Sequence, residues 1–142
     1  MIEFKKVFID TSPFIYLLED HEEYGDQVAN FIQYCKTNDI VLSTSVITHM
    51  EFCVKPYQLN RHDVITSFEE LLAELDISLL KVTQRVADTA AKLRSKYKGL
   101  KGMDALQISA AIHSKCDKFM TNDRRLKQID EINIMLISDW YH

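Results

Sequence analysis

The sequence is poor in the residues that make tight turns, with three glycines and two prolines in 142 residues. An all-β fold needs many such turns, so the composition argues against one. The three cysteines, Cys35, Cys53 and Cys116, are an odd number, lie far apart and form no C-x-x-C pair. We therefore expect free thiols in a reducing compartment, and neither a disulfide framework nor a zinc site.

The chain also lacks an overall positive charge and a long hydrophobic run. The formal net charge is -4, so a nucleic-acid partner would have to be attracted by a local basic patch. No signal-peptide pattern opens the sequence and no run of 18 apolar residues occurs. We expect a cytoplasmic protein without a membrane span.

What remains is the composition of an ordinary globular domain. Hydrophobic residues make up 46% and charged residues 27% of the chain, which is long enough for one domain with a sizeable core. No repeat, low-complexity segment or Gly/Ser-rich linker divides it. We predict a single domain over residues 1–142.

Short apolar runs alternate with stretches of helical periodicity. The runs predict five strands, at 6–9, 40–43, 77–82, 118–121 and 134–137. The stretches predict helices at 13–19, 22–36, 45–54, from 60, at 83–98, 104–115 and 124–129, with Ser12, Ser45 and Thr83 as N-caps. This alternation indicates an α/β fold whose mainly parallel sheet is flanked by helices on both faces.

Two carboxylates lie at the carboxyl ends of predicted strands. Asp10 comes after the first strand and Asp123 after the fourth. Because parallel strands bring their carboxyl ends to one edge of the sheet, where α/β folds place their ligands, we expect these acids to meet. For Asp123, N-capping of the following helix is the competing interpretation.

Two further carboxylates lie on helices that should pack beside that edge. Glu51 shares a helix face with apolar residues at 47, 50 and 54, which predicts that it points inward, where an unpaired charge is costly. A partly exposed or salt-bridged Glu51 is the alternative. Asp104 begins a helix, where capping is again the alternative.

Carboxylates crowded into one crevice repel each other unless a cation lies among them. Oxygen ligands without a histidine or cysteine partner select Mg²⁺ or Mn²⁺ over zinc. His49 and His113 have no partner at metal-ligand spacing, so we interpret them as surface or core residues. Ions of this kind bind phosphates and activate water for hydrolysis.

Four segments of the chain, in this order, resemble the motifs of the PIN-domain family, and most closely those of the stand-alone toxins of the VapC type. They are Asp10-Thr11-Ser12 after a strand, Glu51 on a helix, Met103-Asp104-Ala105-Leu106-Gln107-Ile108-Ser109-Ala110-Ala111, and Thr121-Asn122-Asp123. The resemblance covers essentially the whole chain. It departs where the family often has another Asp and an aromatic residue, because this chain has Arg124, Arg125 and Leu126 there.

The resemblance implies a single-domain PIN-like fold with a twisted, mainly parallel sheet of about five strands. It implies an Mg²⁺-dependent endoribonuclease, with Mn²⁺ as a possible substitute, that hydrolyses RNA phosphodiester bonds as the toxin of a type II toxin–antitoxin pair. A cognate antitoxin and a second copy of the chain are the implied protein partners. The implied metal-binding and catalytic acids are Asp10, Glu51, Asp104 and Asp123, supported by Thr11, Ser12, Thr121 and Asn122.

Basic residues flank two of these acids. Lys98 and Lys101 precede Asp104, and Arg124 and Arg125 follow Asp123. An acidic site repels RNA, so positive side chains beside it are candidates for contacts with the RNA backbone. Their alternative role is that of solvated helix ends that satisfy the helix dipole. Tyr97 is a candidate for stacking on a base.

Other functions remain as rivals. Haloacid-dehalogenase-like phosphatases also begin with an Asp after the first strand, but need a second acid two residues later, where this chain has Ser12. A phosphoacceptor receiver domain needs an Asp at the end of its third strand, which the run at 77–82 lacks. A PIN-fold RNA-processing nuclease outside a toxin–antitoxin system and a catalytically silent PIN-like scaffold are the nearer alternatives. Clustered acids argue against the scaffold, because repulsive charge brings it no benefit.

Overall fold

The computed structural model describes residues 4–140, and its centre is one sheet of five parallel strands. The strands are β1 (Lys6–Ile9), β2 (Val41–Ser45), β3 (Ser78–Leu80), β4 (Lys118–Thr121) and β5 (Asn133–Leu136). Their order is β3-β2-β1-β4-β5, and every neighbouring pair is parallel. The predicted α/β fold with a five-stranded sheet is confirmed, and β1 lies at its centre.

Within residues 4–140, six α-helices and one short 3₁₀ helix connect the strands, and a second 3₁₀ helix follows β5. They are α1 (Thr11–Leu18), α2 (Gly25–Thr37), α3 (Val46–Gln58), α4 (His62–Glu74), α5 (Gln84–Lys96) and α6 (Gly102–His113), with the 3₁₀ segments at Arg124–Gln128 and Ile137–Asp139. No helix in the described part of the chain is long and apolar enough to cross a membrane.

Helices cover both faces of the sheet, which explains why β1 is apolar without alternation. Val7 and Ile9 point into one hydrophobic cluster, which is filled by side chains of α1 to α4 such as Phe31 and Phe68. Phe8 points into a second cluster, built by α5, α6 and β4, where it stacks on Phe119 with ring centroids 5.1 Å apart. Successive strand residues face opposite sides, so a strand with both sides covered must be apolar throughout.

The N-cap of α1 is Asp10, and the prediction of Ser12 was wrong. The carboxylate of Asp10 accepts a hydrogen bond from the Thr11 backbone N–H, and the helix begins at Thr11. Ser12 and Pro13 lie in its first turn, where the N–H that proline lacks has no helical partner. The caps at Ser45 and Thr83 are confirmed: each hydroxyl accepts a backbone N–H of its own helix.

Two further expectations about helices were wrong. Helix α3 does not stop near Val54 but continues to Gln58, with Pro56 buried in its last turns. There proline removes one backbone bond, and its ring still packs in the protein interior. On α5, helical spacing predicts an apolar side made of Val86, Ala87, Ala90, Ala91 and Leu93. Ala87 and Ala91 are exposed instead, because only a narrow stripe including Val86 and Leu93 faces the sheet. Cys35, Cys53 and Cys116 are free thiols and are buried, as predicted.

Candidate metal and catalytic site

Asp10 lies at the carboxyl end of the central strand and is 8% exposed. Its backbone N–H donates to Met120 O (2.9 Å), which ties it to β4. One carboxylate oxygen accepts from the Thr11 N–H, and the other accepts from Thr121 Oγ1, each over 2.8 Å. Burial raises the pKa of Asp10 to about 6, and the negative charges of Asp104 and Glu51 add to that rise. The central carboxylate of the site is therefore difficult to ionise.

Glu51 is half-buried and is held by the segment that follows Asp10. Thr11 Oγ1 donates to Glu51 Oε1 over 2.6 Å. The helix face that it was predicted to share with apolar residues points inward only at Ile47, which is buried, whereas Met50 and Val54 are 45% and 50% exposed. Glu51 reaches the sheet edge through its contact with Thr11, and hydrophobic neighbours do not carry it there.

Asp104 lies in the first turn of α6 and is half-buried. The N-cap of α6 is Lys101, so N-capping does not explain Asp104. Burial raises the pKa of Asp104, and the charges of Asp123 and Glu51 raise it further, against the lowering effect of Arg125 and Lys101. A position near a helix N-terminus should favour a carboxylate, yet burial, together with the charges of the other acids, outweighs it.

Asp123 is the acid whose charge is already compensated. It caps the 3₁₀ helix that follows β4, accepting from the Arg125 N–H (3.0 Å). Arg125 also donates to it from Nε (3.0 Å) and Nη2 (2.8 Å), a paired contact that lowers the pKa of Asp123. The capping alternative is thus confirmed for Asp123. It does not exclude a second role, because Asp123 still acts electrostatically on Asp104.

The supporting polar residues divide into two groups. Thr121 is fully buried and holds Asp10, while Thr11 joins Asp10 to Glu51. Asn122 instead donates to the Tyr16 hydroxyl (3.1 Å) on α1, and Ser12 lies half-buried in the first turn of α1. Thr11 and Thr121 are therefore hydrogen-bonded to the acids, whereas the contacts of Asn122 and Ser12 do not connect them to the acids.

A buried hydrogen-bond network beneath the acids escaped the sequence analysis. Gln107 Nε2 donates to Thr48 Oγ1 over 2.7 Å, and Gln107 Oε1 accepts from Ser45 Oγ. Thr44 Oγ1 lies 2.8 Å from Thr48 Oγ1 and donates to Ile9 O (2.7 Å). The signal for it was an amide within the apolar run of α6, three residues after Asp104, and a threonine three residues before Glu51.

The basic residues flanking the acids are all exposed: Lys98, Lys101, Arg124 and Arg125. Lys101 and Arg125 line a small cleft together with Asp104 and Asp123, so positive and negative side chains meet at its mouth. Tyr97 makes its contacts away from the four acids. Its hydroxyl donates to Glu131 (2.5 Å) and accepts from the Asp130 N–H (3.1 Å), and its ring packs on the second cluster.

The chemistry of the donor set suits the predicted ion. Carboxylate and hydroxyl oxygens suit Mg²⁺ or Mn²⁺, and the raised pKa values of Asp10 and Asp104 show negative charge that a cation would relieve. Within residues 4–140, however, no three His, Cys, Asp or Glu side chains stand close enough to form a ready ligand set. The chemistry fits, and side-chain movement, including that of Asp123 away from Arg125, would be needed to complete the coordination.

A family model for the PIN domain matches residues 7–132, and the chain belongs to the PIN-domain family. The matched span contains all four acids. No curated protein matches the sequence.

Solved structures of the same fold include toxin–antitoxin complexes. The chain is similar to a chain of VapBC2 from Rickettsia felis bound to a promoter DNA fragment, with 18% identity, TM-score 0.77, and 92% of this chain and 98% of that chain covered. DNA-bound VapBC from Salmonella typhimurium gives 19% identity, TM-score 0.71, and 94% and 98% coverage. Mycobacterium tuberculosis VapC20, described as a sarcin-ricin loop cleaving toxin, gives 12% identity, TM-score 0.66, and 89% and 98% coverage. At these identities the likeness establishes the fold.

Proposed function

We propose that the protein is a metal-dependent endoribonuclease. The observation that carries the proposal is the placement of Asp10, Glu51 and Asp104 at the carboxyl edge of the sheet. Burial and the charges of Asp104 and Glu51 raise the pKa of Asp10, burial and the charges of Asp123 and Glu51 raise the pKa of Asp104, and Thr11 hydrogen-bonds to Glu51. An uncompensated group of this kind costs stability, so its presence calls for a function. Binding of a divalent cation and hydrolysis of a phosphate substrate is a function that uses such a group of acids.

In this proposal Asp10 and Asp104 are the direct metal ligands, and Asp123 completes the site directly or through water. The bound ion would supply positive charge that acidifies water and neutralises the phosphate oxygens and the leaving alkoxide. Glu51, held by Thr11, orients the attacking water. Hydrogen bonds from Thr121 and from the Thr11 N–H fix the orientation of the Asp10 carboxylate relative to the other acids.

The exposed basic residues at the cleft are proposed to guide the RNA backbone. Arg125 has two possible partners of the same chemistry, the carboxylate of Asp123 and a phosphate, because both accept paired hydrogen bonds from a guanidinium. When RNA arrives, Arg125 can exchange one for the other, which releases Asp123 toward the acids. Lys101, which lines the same cleft, adds a second positive charge.

The nuclease assay is the direct test. Purified protein is incubated with a mixed RNA pool with Mg²⁺, with Mn²⁺ and with excess chelator, beside a DNA pool of matched length. We expect internal cleavage of RNA with metal, none in chelator, and recovery when metal is restored. The rate at low RNA concentration should fall as salt rises, because phosphate contacts are screened. Cleavage that persists in chelator would contradict the metal mechanism, and inert protein under all conditions would favour the scaffold alternative.

We further propose a toxin–antitoxin setting, supported by the toxin–antitoxin complexes among the structures of this fold. A nuclease that cleaves cellular RNA must be held silent by a partner, which is the regulation that such a pair provides. A stand-alone RNA-processing role is the alternative. It predicts that expression of the active protein alone does not stop growth.

A partner surface is available on α3. Its exposed apolar side chains repeat at helical spacing, which places them on one face: Val46, Met50, Val54 and Tyr57, at 38–56% exposure. Apolar faces of this kind mark interaction sites, and we propose that a second copy of the chain covers it.

Sedimentation of the wild-type protein should therefore give the mass of a dimer, whereas Val54→Glu should give a monomer with an unchanged circular dichroism spectrum. Ser67→Glu, an exposed change on α4, is the matched control and should remain dimeric. A monomeric wild-type protein would contradict the proposal that a second copy of the chain covers α3.

A further inference from the structure

Gln107 is a buried amide with apolar neighbours on both sides in α6. It is 1% exposed and follows Asp104 by three residues, so both project from one side of the helix. Its carbonyl oxygen accepts from Ser45 Oγ, and its amide nitrogen donates to Thr48 Oγ1 (2.7 Å). Burial of an amide is unfavourable unless its donors and acceptor are paired, so this position needs both contacts.

The second N–H of the same amide faces the acids. A primary amide has two N–H donors, and Thr48 takes one of them. Nε2 lies 3.4 Å from Asp10 Oδ1 and 3.5 Å from Thr11 Oγ1. The other donor is therefore directed at Asp10 and at the hydroxyl that binds Glu51.

One side chain thus links all three elements that carry the crowded acids. Asp104 is on the same helix as Gln107, Asp10 is within reach of its amide, and Glu51 is reached through Thr11 Oγ1, which donates to Glu51 and lies 3.3 Å from Thr48 Oγ1. These acids repel each other. An uncharged group that donates toward them and accepts from Ser45, the N-cap of α3, opposes that repulsion without adding charge.

We propose that Gln107 is the positioning residue of the site, a role that rests on the proposed nuclease function. It sets the separation of Asp10, Glu51 and Asp104 and does not itself touch metal or RNA. The role requires a neutral group with donor and acceptor ends. Methionine would fill the space without hydrogen bonds, and glutamate would place another acid against Asp10.

The test is Gln107→Met, compared with wild type for RNA cleavage and for Mn²⁺ binding by calorimetry. We expect kcat to fall about 10- to 100-fold and Mn²⁺ affinity about tenfold, the range typical for groups that orient metal ligands. KM for RNA should change little, because the basic residues proposed to bind RNA are on the surface. A side chain with a merely structural role would not separate kcat from KM in this way.

Ser109→Ala is the matched control. Ser109 is fully buried in the same helix, and its hydroxyl has no hydrogen-bond partner among the described residues. Its replacement removes a buried polar group from α6 without touching the acids. We expect wild-type kcat, KM and Mn²⁺ affinity, with unchanged or higher thermal stability.

The two proposals fail in different ways. Wild-type protein that neither binds Mn²⁺ nor cleaves RNA overturns the nuclease function. Active wild type together with Gln107→Met that keeps kcat and Mn²⁺ affinity overturns only the positioning role. If Gln107→Met does not fold, the double variant Gln107→Met, Thr48→Val is measured in its place. The double variant removes both partners of the Gln107–Thr48 hydrogen bond, so neither is left unpaired. Wild-type kcat in the double variant would also overturn the role.

Discussion

Asp10→Asn is expected to abolish RNA cleavage, with a loss of at least about a thousandfold in kcat. The change removes one negative charge from the proposed metal ligand and keeps the shape of the side chain. Electrostatic stabilisation of the reacting phosphate by a bound ion contributes several kcal/mol, and about 1.4 kcal/mol corresponds to a tenfold change in rate. The measurement is single-turnover cleavage with saturating Mg²⁺, together with Mn²⁺ binding, which should weaken in parallel.

The fold should survive this substitution. An asparagine oxygen can still accept the Thr11 N–H at the N-cap of α1, and Asn is as good a capping residue as Asp. Asp88→Asn is the control, because Asp88 is an exposed acid that pairs with Lys92 on α5. It should retain full activity. Asp10→Asn protein that folds, binds Mn²⁺ normally and cleaves RNA would remove Asp10 from the mechanism.

Acidification from pH 7.5 to 5 is expected to stabilise the metal-free protein, which is the reverse of ordinary acid denaturation. Burial raises the pKa of Asp10 to about 6 in the folded protein, against an ordinary value of 3.8 in an unfolded chain. The native state therefore binds more protons in this interval, and the stability linked to Asp10 is fully present below pH 3.8 and lost as the pH rises through 6. The difference of 2.2 pKa units corresponds to about 3 kcal/mol in total, of which about 1.4 kcal/mol falls between pH 7.5 and 5.

The pKa shifts of other acids also affect how the free energy of unfolding depends on pH. The pKa of Asp104 is also raised, so Asp104 strengthens the effect. The pKa values of Asp63, Asp123 and Glu131 are lowered, and their contributions are lost only at more acidic pH, below the chosen window. Urea unfolding in the presence of chelator, at half-unit pH intervals, gives the curve directly.

Asp10→Asn supplies the internal control for this pH dependence. Its curve should be flatter than that of wild type, and at pH 7.5 without metal it should be the more stable protein, by up to about 3 kcal/mol less any loss in its hydrogen bonds. Adding Mg²⁺ should stabilise wild type more than the variant. An Asp10→Asn protein that melts earlier than wild type without metal would contradict the crowding of the acids.

The buried strand and its terminal acid could be predicted because their signals are local. An apolar run without alternation requires a strand covered on both faces, and parallel topology then places Asp10 at the ligand edge. The fate of Glu51 was harder to foresee, because its apolar neighbours Met50 and Val54 face away from this domain. Apolar residues at helical spacing occur both on a helix face that packs into a core and on one that binds a partner. The sequence alone does not distinguish the two cases for Met50 and Val54.

The network around Gln107 could not be predicted from the sequence, because it depends on how α6 packs beside α3. An amide within the apolar run of α6 is a local signal for Gln107, but its partner Thr48 is 59 residues away and nothing in the sequence pairs the two. The pairing of Asp123 with Arg125 was missed for the opposite reason. It spans two residues, but whether an arginine binds its neighbour or a distant phosphate is decided by rotamers, which leave no periodic pattern.

The strand order also has a consequence for biosynthesis. Asp10 is made early, yet Thr121, which holds its carboxylate, comes 111 residues later, and β4 must pair beside β1 before the two can meet. A nascent or truncated chain that ends before Lys118 lacks β4, Thr121 and Asp123 altogether. The proposed nuclease should therefore stay inert until its ribosome has translated β4 and Asp123 and β4 has paired with β1.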